Sequence, residues 1–244
     1  NESFLLYFQP IMEISSGRIS HYEVLIRMRE QDGSISMPGD FIPVAERTGL
    51  INSIDRFVLR ESINQLAKIS KEENRDINFS INLSGRVVDD PELLPLLKQL
   101  LNFSGVKPQN LVFELTETAT LADMASAEEL MRELRELGCR FAMDDFGVGF
   151  SSFYYLRELP LDIVKIDGSF IRQLPSSPED RIFVKALTEM ATGLKKQTIA
   201  EFVEDAETLR LLQEIGVDYA QGYYIGKPQA EIQTTFDPVK SSIG

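Results

Sequence analysis

The chain has 244 residues, 25 of them Lys or Arg against 38 Asp or Glu, which gives a formal net charge of −13. That length suits one large α/β domain or two small ones, and 43% hydrophobic residues are enough for a sizeable core, so general disorder is excluded. The acidity argues against binding to nucleic-acid polymers, which calls for a basic surface that displaces counterions.

Leu5–Ile14 and Ile19–Met28 read as strands joined by the polar turn Ser15-Ser16-Gly17-Arg18, a spacing that predicts an antiparallel hairpin. Gly39–Arg47 reads as a short helix ending at Gly49. Asp55–Ser70 carries a helical apolar stripe through Phe57, Val58, Ile63, Leu66, Ala67 and Ile69, with Asp55 as its cap. A regular alternation follows. Strands are predicted at Ile77–Leu83, Leu111–Leu115, Arg140–Asp145, Ile163–Ile166, Thr198–Val203 and Tyr219–Tyr223. Between them fall helices near Pro91–Asn102, Asp123–Leu137, Pro178–Leu194 and Ala206–Ile215, with a weaker short helix in Ser151–Leu159. Two hairpin strands and six alternating ones make eight, the number that closes a (β/α)8 barrel; here the barrel begins with an antiparallel strand. A doubly wound open sheet is the alternative, but the glycine-rich phosphate turn expected after its first strand is missing. Residues 1–230 form the predicted domain and 231–244 a polar C-terminal extension.

No apolar run reaches the length of a membrane span and no basic stretch precedes an apolar one, so neither a span nor a signal peptide is expected. The sequence opens on Asn1 rather than Met and reads as a domain of a longer protein, whose anchor or sensor would lie elsewhere. One cysteine, Cys139, excludes an intramolecular disulfide and favours a reducing, cytoplasmic compartment. One histidine, His21, excludes metal sites built on two histidines, and a lone histidine is more often a satisfied or exposed residue than a ligand.

In a barrel, functional side chains gather where strands end at the C-terminal mouth. The predicted strands carry Glu23 and Arg27, Ser80 and Asn82, Glu114 and Glu117, Asp144-Asp145, Lys165 and Asp167, Glu201 and Glu204, and Gln221 at those positions. A charge embedded in an apolar strand is costly unless it is paired or bound to metal. Oxygen donors from Glu, Asp and Asn, without His or Cys, describe a hard divalent cation such as Mg2+ or Mn2+. More than four carboxylates at one mouth suggest two cations, the arrangement that clamps the attacking and leaving oxygens of phosphoryl transfer. Adjacent Asp144 and Asp145 should point to opposite sides, so both reach one site only where the strand ends. Gly147 and Gly149 do not form a phosphate loop, since no Gly-Lys-Ser/Thr completes one. Glu46, Asp55 and Glu61 read as solvated helix faces or caps, Glu204 and Asp162 as possible ordinary strand-end residues, and Cys139 as packing.

Taken in order, Glu23-Val24-Leu25, Asn82-Leu83-Ser84, Glu114-Leu-Thr-Glu117, Asp144-Asp145-Phe-Gly, Lys165-Ile-Asp167, Ala200-Glu201 and Gln221-Gly-Tyr resemble the EAL-domain cyclic-di-GMP phosphodiesterases, from about Leu5 to Pro228. The resemblance implies a modified (β/α)8 barrel that opens one phosphodiester of cyclic di-GMP to give linear pGpG with two Mg2+ or Mn2+ ions, Ca2+ being inhibitory. It implies Glu23, Asn82, Glu114 and Asp144 as ligands of one metal, and Asp144, Asp145 and Glu201 as ligands of the second. Lys165 matches the lysine that positions or deprotonates the attacking water, and Glu117 the acid that anchors the loop after the paired aspartates. Gln9, Leu25, Arg27, Asp167, Phe202, Gln221 and Pro228 match or adjoin positions lining the nucleotide site, with Arg27 at a phosphate. A homodimer, and regulatory domains in a longer parent that can itself be membrane-anchored, are further expectations.

Four positions depart from the family pattern. Val24 stands in place of Ala, Phe202 in place of the Gly after Glu201, Val148 in place of a smaller loop residue, and Lys227 in place of Arg. Phe202 keeps a second reading open, a catalytically weak or inactive cyclic-di-GMP receptor. A two-carboxylate barrel glycosidase is a third, but it leaves Lys165 and Asn82 without a role.

Overall fold

A computed structural model of the chain describes residues 3–73, 75–148 and 152–236. Strands β1 (Phe4–Glu13) and β2 (Arg18–Arg29) form the expected hairpin, in register from Phe4 opposite Met28 to Glu13 opposite Arg18, with one shift at Ile11/Met12. Strands β4 (Asn78–Asn82), β5 (Leu111–Thr116), β6 (Arg140–Phe146), β7 (Ile163–Ile166), β8 (Gln197–Ala200) and β9 (Tyr219–Gln221) follow β2 as parallel neighbours. β9 then pairs antiparallel with β1, so eight strands close a barrel in which β1 alone runs against the rest. The short β3 (Ile35–Ser36) hangs on β2 outside the ring.

Helices α1 (Pro38–Thr48), α2 (Ile51–Glu72), α3 (Leu93–Ser104), α5 (Met124–Glu136), α6 (Ser152–Glu158), α8 (Pro178–Gly193) and α9 (Ala206–Ile215) cover the outside, with short α4 (Glu117–Ala122) and α7 (Gly168–Arg172) at strand ends. Strand and helix spans agree with the sequence pattern to within a few residues. α4 and α7 carry too few turns to show periodicity. Asp55 is the clearest correction. Gly49 ends α1 in the left-handed conformation and the chain re-enters a helix at Ile51, so Asp55 lies inside α2, buried, rather than at a cap or on a solvated face.

Strand alternation explains how the site is placed. A small apolar plug, Ile11, Val112, Ala142, Ile163 and Ile199 with Tyr219 against it, fills the barrel interior. Two residues onward on the same strands, and so on the same inward face, stand Glu114, Asp144, Lys165, Glu201 and Gln221. Because β1 runs the other way, its mouth residue is two positions before the plug: Gln9. The alternate residues face outward into the main core beneath the helices, Tyr22, Val24, Phe113 and Val164 among them.

Beyond β9 the chain returns across the N-terminal strand. Phe8 N–H donates to Gln229 O at 2.7 Å and Gln229 N–H to Phe8 O at 3.1 Å. The Tyr22 hydroxyl donates to Gln233 O at 2.6 Å, and Phe236 packs edge-on against Tyr224. Within the predicted extension, residues 237–244 lie outside the described residues, as do Gly149 and Ser151.

Candidate active site

At the centre of the mouth Lys165 is fully buried and its ammonium meets four carboxylates: Glu114 Oε2 at 2.9 Å, Glu201 Oε1 at 2.9 Å, Asp144 Oδ1 at 3.0 Å and Glu23 Oε2 at 3.4 Å. Four strands thus deliver one oxygen each to a single point. Burial works against the charge of Lys165, but the surrounding carboxylates outweigh it and hold its pKa well above the ordinary value.

The acids respond unequally. Burial also disfavours the Glu23 charge, yet Lys165 and donated hydrogen bonds keep its pKa below the usual carboxylate value. Those donors are Gln221 Nε2 at 2.6 Å and Asn82 Nδ2 at 2.6 Å. Burial pushes Glu114 up to about 8, Lys165 opposing and the charges of Glu23 and Asp144 adding to it. Glu201 rises to about 8 for the same reasons, burial first. This many carboxylates around one ammonium cannot all ionise without further positive charge, so the metal-free cluster keeps protons near neutral pH.

Asp145 joins the cluster through a backbone irregularity. β6 does not end at the paired aspartates; its pairing with β7 shifts between Met143 and Phe146, and Asp145 takes φ 54, the left-handed region. That bulge brings adjacent carboxylates to one side, and oxygens of Asp144, Asp145 and Glu201 lie within 4.8 Å of one another. The donor set is all oxygen, and among the described residues no hydrogen-bond partner meets the buried Glu114 Oε1. These residues suit a hard divalent cation, and the acidic cluster could hold a metal.

The other predicted residues take distinct places. Glu117, buried at the start of α4, accepts a hydrogen bond from Gly147 N–H at 3.3 Å and so ties down the turn after the paired aspartates. Asp167 caps α7, accepting from Ser169 N–H at 2.9 Å, and its charge reaches Asp145 through space. Gln9, Glu23, Leu25, Arg27, Glu201, Phe202, Gln221 and Pro228 line one cavity of about 330 Å³. Glu204, Gly222 and Tyr223 line it too; Glu204 was legible only as an acid three residues beyond Glu201. Gly222 carries no side chain because an added Cβ would lie 2.2 Å from the Val203 backbone, where β9 crosses close to the end of β8. A larger cavity, about 620 Å³ between β1, α1 and α2, is walled by Phe4, Phe41, Val44 and Phe57 and lacks this convergence of charge.

Phe202 takes φ 53, the left-handed region that favours glycine. Its ring lies over Gly168, where a Cβ would be 2.2 Å away, and the Arg172 guanidinium sits 3.9 Å from the ring centroid. No motif in the sequence links Arg172 to this site. His21 is the satisfied core histidine expected: it bonds Ser80 Oγ at 2.7 Å, and burial, with Arg140 and Lys165, drives its pKa down to about 3. Cys139 is buried packing, and Asp162 is structural, accepting from Phe141 N–H at 2.9 Å and pairing with Arg135.

A closed barrel with one reversed strand and an acidic mouth built round a lysine defines the fold and site, and the comparisons agree. Residues 1–228 match the EAL domain family, and the chain belongs to that family. It is 40% identical to the cyclic di-GMP phosphodiesterase PdeB of Shewanella oneidensis over 92% of this chain and 26% of that protein. It is 36% identical to the cyclic di-GMP phosphodiesterase PdeF of Escherichia coli over 98% of this chain and 32% of that one. The chain therefore spans about a third or less of these relatives. Among solved structures, the FimX EAL domain from Pseudomonas aeruginosa bound to c-di-GMP superposes with a TM-score of 0.89 at 32% identity, covering 97% of this chain and 95% of that one. The PaMucR phosphodiesterase in complex with c-di-GMP gives 0.87 at 30%, covering 93% and 92%. Among the described residues no helix is long and apolar enough to cross a membrane.

Proposed function

We propose that this chain hydrolyses one phosphodiester bond of cyclic di-GMP, giving linear pGpG, with two Mg2+ or Mn2+ ions. The observation that carries the proposal is the convergence of Glu23, Glu114, Asp144 and Glu201 on Lys165 at the barrel mouth, with Asp145 brought in by the bulge. The names of the relatives and of the superposed complexes support the substrate.

Glu23, Asn82, Glu114 and Asp144 would hold one ion, and Asp144, Asp145 and Glu201 the second. Asn82 spends its amide N–H on Glu23 and keeps its carbonyl oxygen for the cation. Bound there, the ions supply charge neutralisation and Lewis acidity to an in-line displacement at phosphorus. Water adds to phosphorus, the P–O3′ bond breaks, and a proton passes to the departing oxygen. Lys165, held protonated by its carboxylate neighbours in the metal-free cluster, would position or deprotonate the attacking water once the cations take those carboxylates. Arg27, buried beside the cavity with its guanidinium 5.4 Å from the Tyr7 ring centroid, would meet a phosphate. Gln9 and Gln221 supply amides, Leu25, Phe202 and Pro228 supply walls for the bases, and Asp167 holds the start of α7 beside them. Glu117 keeps the paired-aspartate turn in place.

The chain is read as one cytoplasmic domain of a larger regulated protein and as a homodimer. The exposed Val148 and Ile182, near the stacked Phe170–Phe183 pair beside Gly147, support self-association there. Incubation with cyclic di-GMP and Mn2+, followed by chromatography, tests the activity. The expected result is pGpG, abolished by EDTA and suppressed by Ca2+. Tight binding without product would instead favour a receptor.

A further inference from the structure

Asp55 sits in the apolar stripe of α2, with Ile51, Ile54, Val58 and Leu59 as buried neighbours, and is itself only 5% exposed. A carboxylate in that setting is expensive unless something compensates its charge. Burial above all pushes its pKa up to about 6, and the nearby charges of Asp90 and Glu46 add to the rise. The adjacent Arg56 is committed elsewhere, to Asp90 and Glu92. What Asp55 does hold is Ser84, whose hydroxyl donates to Asp55 Oδ2 at 2.5 Å.

Ser84 stands where the sheet stops fixing the chain. β4 ends at Asn82, and its last tie to β5 is Leu83 N–H to Glu114 O at 2.9 Å. The next residue along, Gly85, is seated on α4, where an added Cβ would lie 3.2 Å from Ala119 Cβ. The Asp55 clamp is therefore the anchor between the end of β4 and the turn that leaves the barrel.

We propose that Asp55 is a positioning residue: by gripping the Ser84 hydroxyl from α2, it sets the end of β4 so that Asn82 presents its side chain to Glu23 and the metal-binding cluster. The inference rests on the reading of Asn82 as a metal ligand. It assigns a role in the reaction to a helix residue outside both the acidic cluster and the cavity beside it. A positioning error of about 1 Å at a ligand is enough to impair a metal site, and loss of partners behind the ligands typically weakens affinity or activity by about 10–100-fold.

The test uses the whole 244-residue chain with Asp55→Leu, Ser84→Ala and the double substitution. Calorimetric titration with MnCl2, thermal unfolding without metal, and the kcat and KM of cyclic di-GMP cleavage are compared. For Asp55→Leu the Tm should hold or rise, since an apolar side chain replaces a buried charge, while Mn2+ affinity and kcat each fall by roughly tenfold and KM moves by less than about twofold. Ser84→Ala should shift the same quantities in the same direction by less, and the double variant should be no worse than Asp55→Leu alone. Unchanged Mn2+ affinity and kcat in both single variants, or penalties that add in the double, would overturn the proposal. So would losses that match the fraction of unfolded protein. Should Asp55→Leu fail to fold, Ser84→Ala carries the same test. A wild-type chain that binds no Mn2+ would overturn the metal reading itself, which separates the two failures.

Discussion

Lys165 Nζ lies 2.9 Å from Glu114 Oε2, and neither side chain is more than 1% exposed. Removing one partner of a buried ion pair leaves an uncompensated charge and commonly costs about 3–5 kcal/mol. Lys165→Ala should therefore unfold at a markedly lower temperature than the parent when metal is absent. Mn2+ should restore much of the difference, because cations replace the missing positive charge, while turnover stays low. Thermal melts with and without MnCl2 check this; equal metal-free Tm values would show that the lysine does not balance the acids.

Metal binding should release protons. Glu114 and Glu201, each pushed up to about 8, are largely protonated at pH 7 in the free cluster, and a cation takes the carboxylate form. Apparent affinity for Mn2+ should thus rise from pH 6 to pH 8 and flatten above. The free protein has the opposite dependence: with folded pKa values above the unfolded ones, these two acids favour folding at low pH and cease to as pH climbs through 8. Titrations in two buffers of different ionisation enthalpy measure the released protons, and identical heats in both would refute the linkage.

Phe202, 45% exposed on the cavity wall, holds a left-handed backbone conformation. Phe202→Gly should relieve backbone strain of about 1 kcal/mol and raise the Tm. It should also raise KM by roughly tenfold through loss of a stacking surface for a base, with kcat preserved or increased. A KM that stays put, with a higher kcat, would identify the ring as an obstruction instead.

The charge on Asp55 destabilises the fold at neutral pH. Its pKa of about 6, against 3.8 for an unperturbed Asp, corresponds to on the order of 3 kcal/mol at most. This penalty is full above pH 6 and gone below the unfolded pKa. The Tm advantage of Asp55→Leu over the parent should accordingly shrink as pH is lowered from 7.5 towards 4.5. An advantage independent of pH would mean that Asp55 is not the titrating group.

The barrel was legible because its signals are local and repeated: β-length apolar runs, amphipathic helices between them, and a tight turn that makes the first pair antiparallel. Glu23, Glu114, Asp144 and Lys165 were legible because a charge inside an apolar strand is anomalous wherever it occurs. What escaped depends on distant contacts. Asp55 looks like any acid at the start of a helical stripe until Ser84, 29 residues away, is found against it. The bulge at Asp145 leaves no periodicity behind, since a single left-handed residue does not alter the pattern on either side. Arg172 belongs to the site only because α7 lies over Phe202, a contact across 30 residues of chain whose ends carry no shared motif.

Anomalous diffraction from a crystal grown with MnCl2 asks the decisive question directly. Two peaks are predicted in the barrel mouth, one within about 2.1 Å of oxygens from Glu23, Asn82, Glu114 and Asp144 and the other at that distance from Asp144, Asp145 or Glu201. A mouth without manganese, with Lys165 still paired to all four carboxylates at saturating metal, would contradict the account.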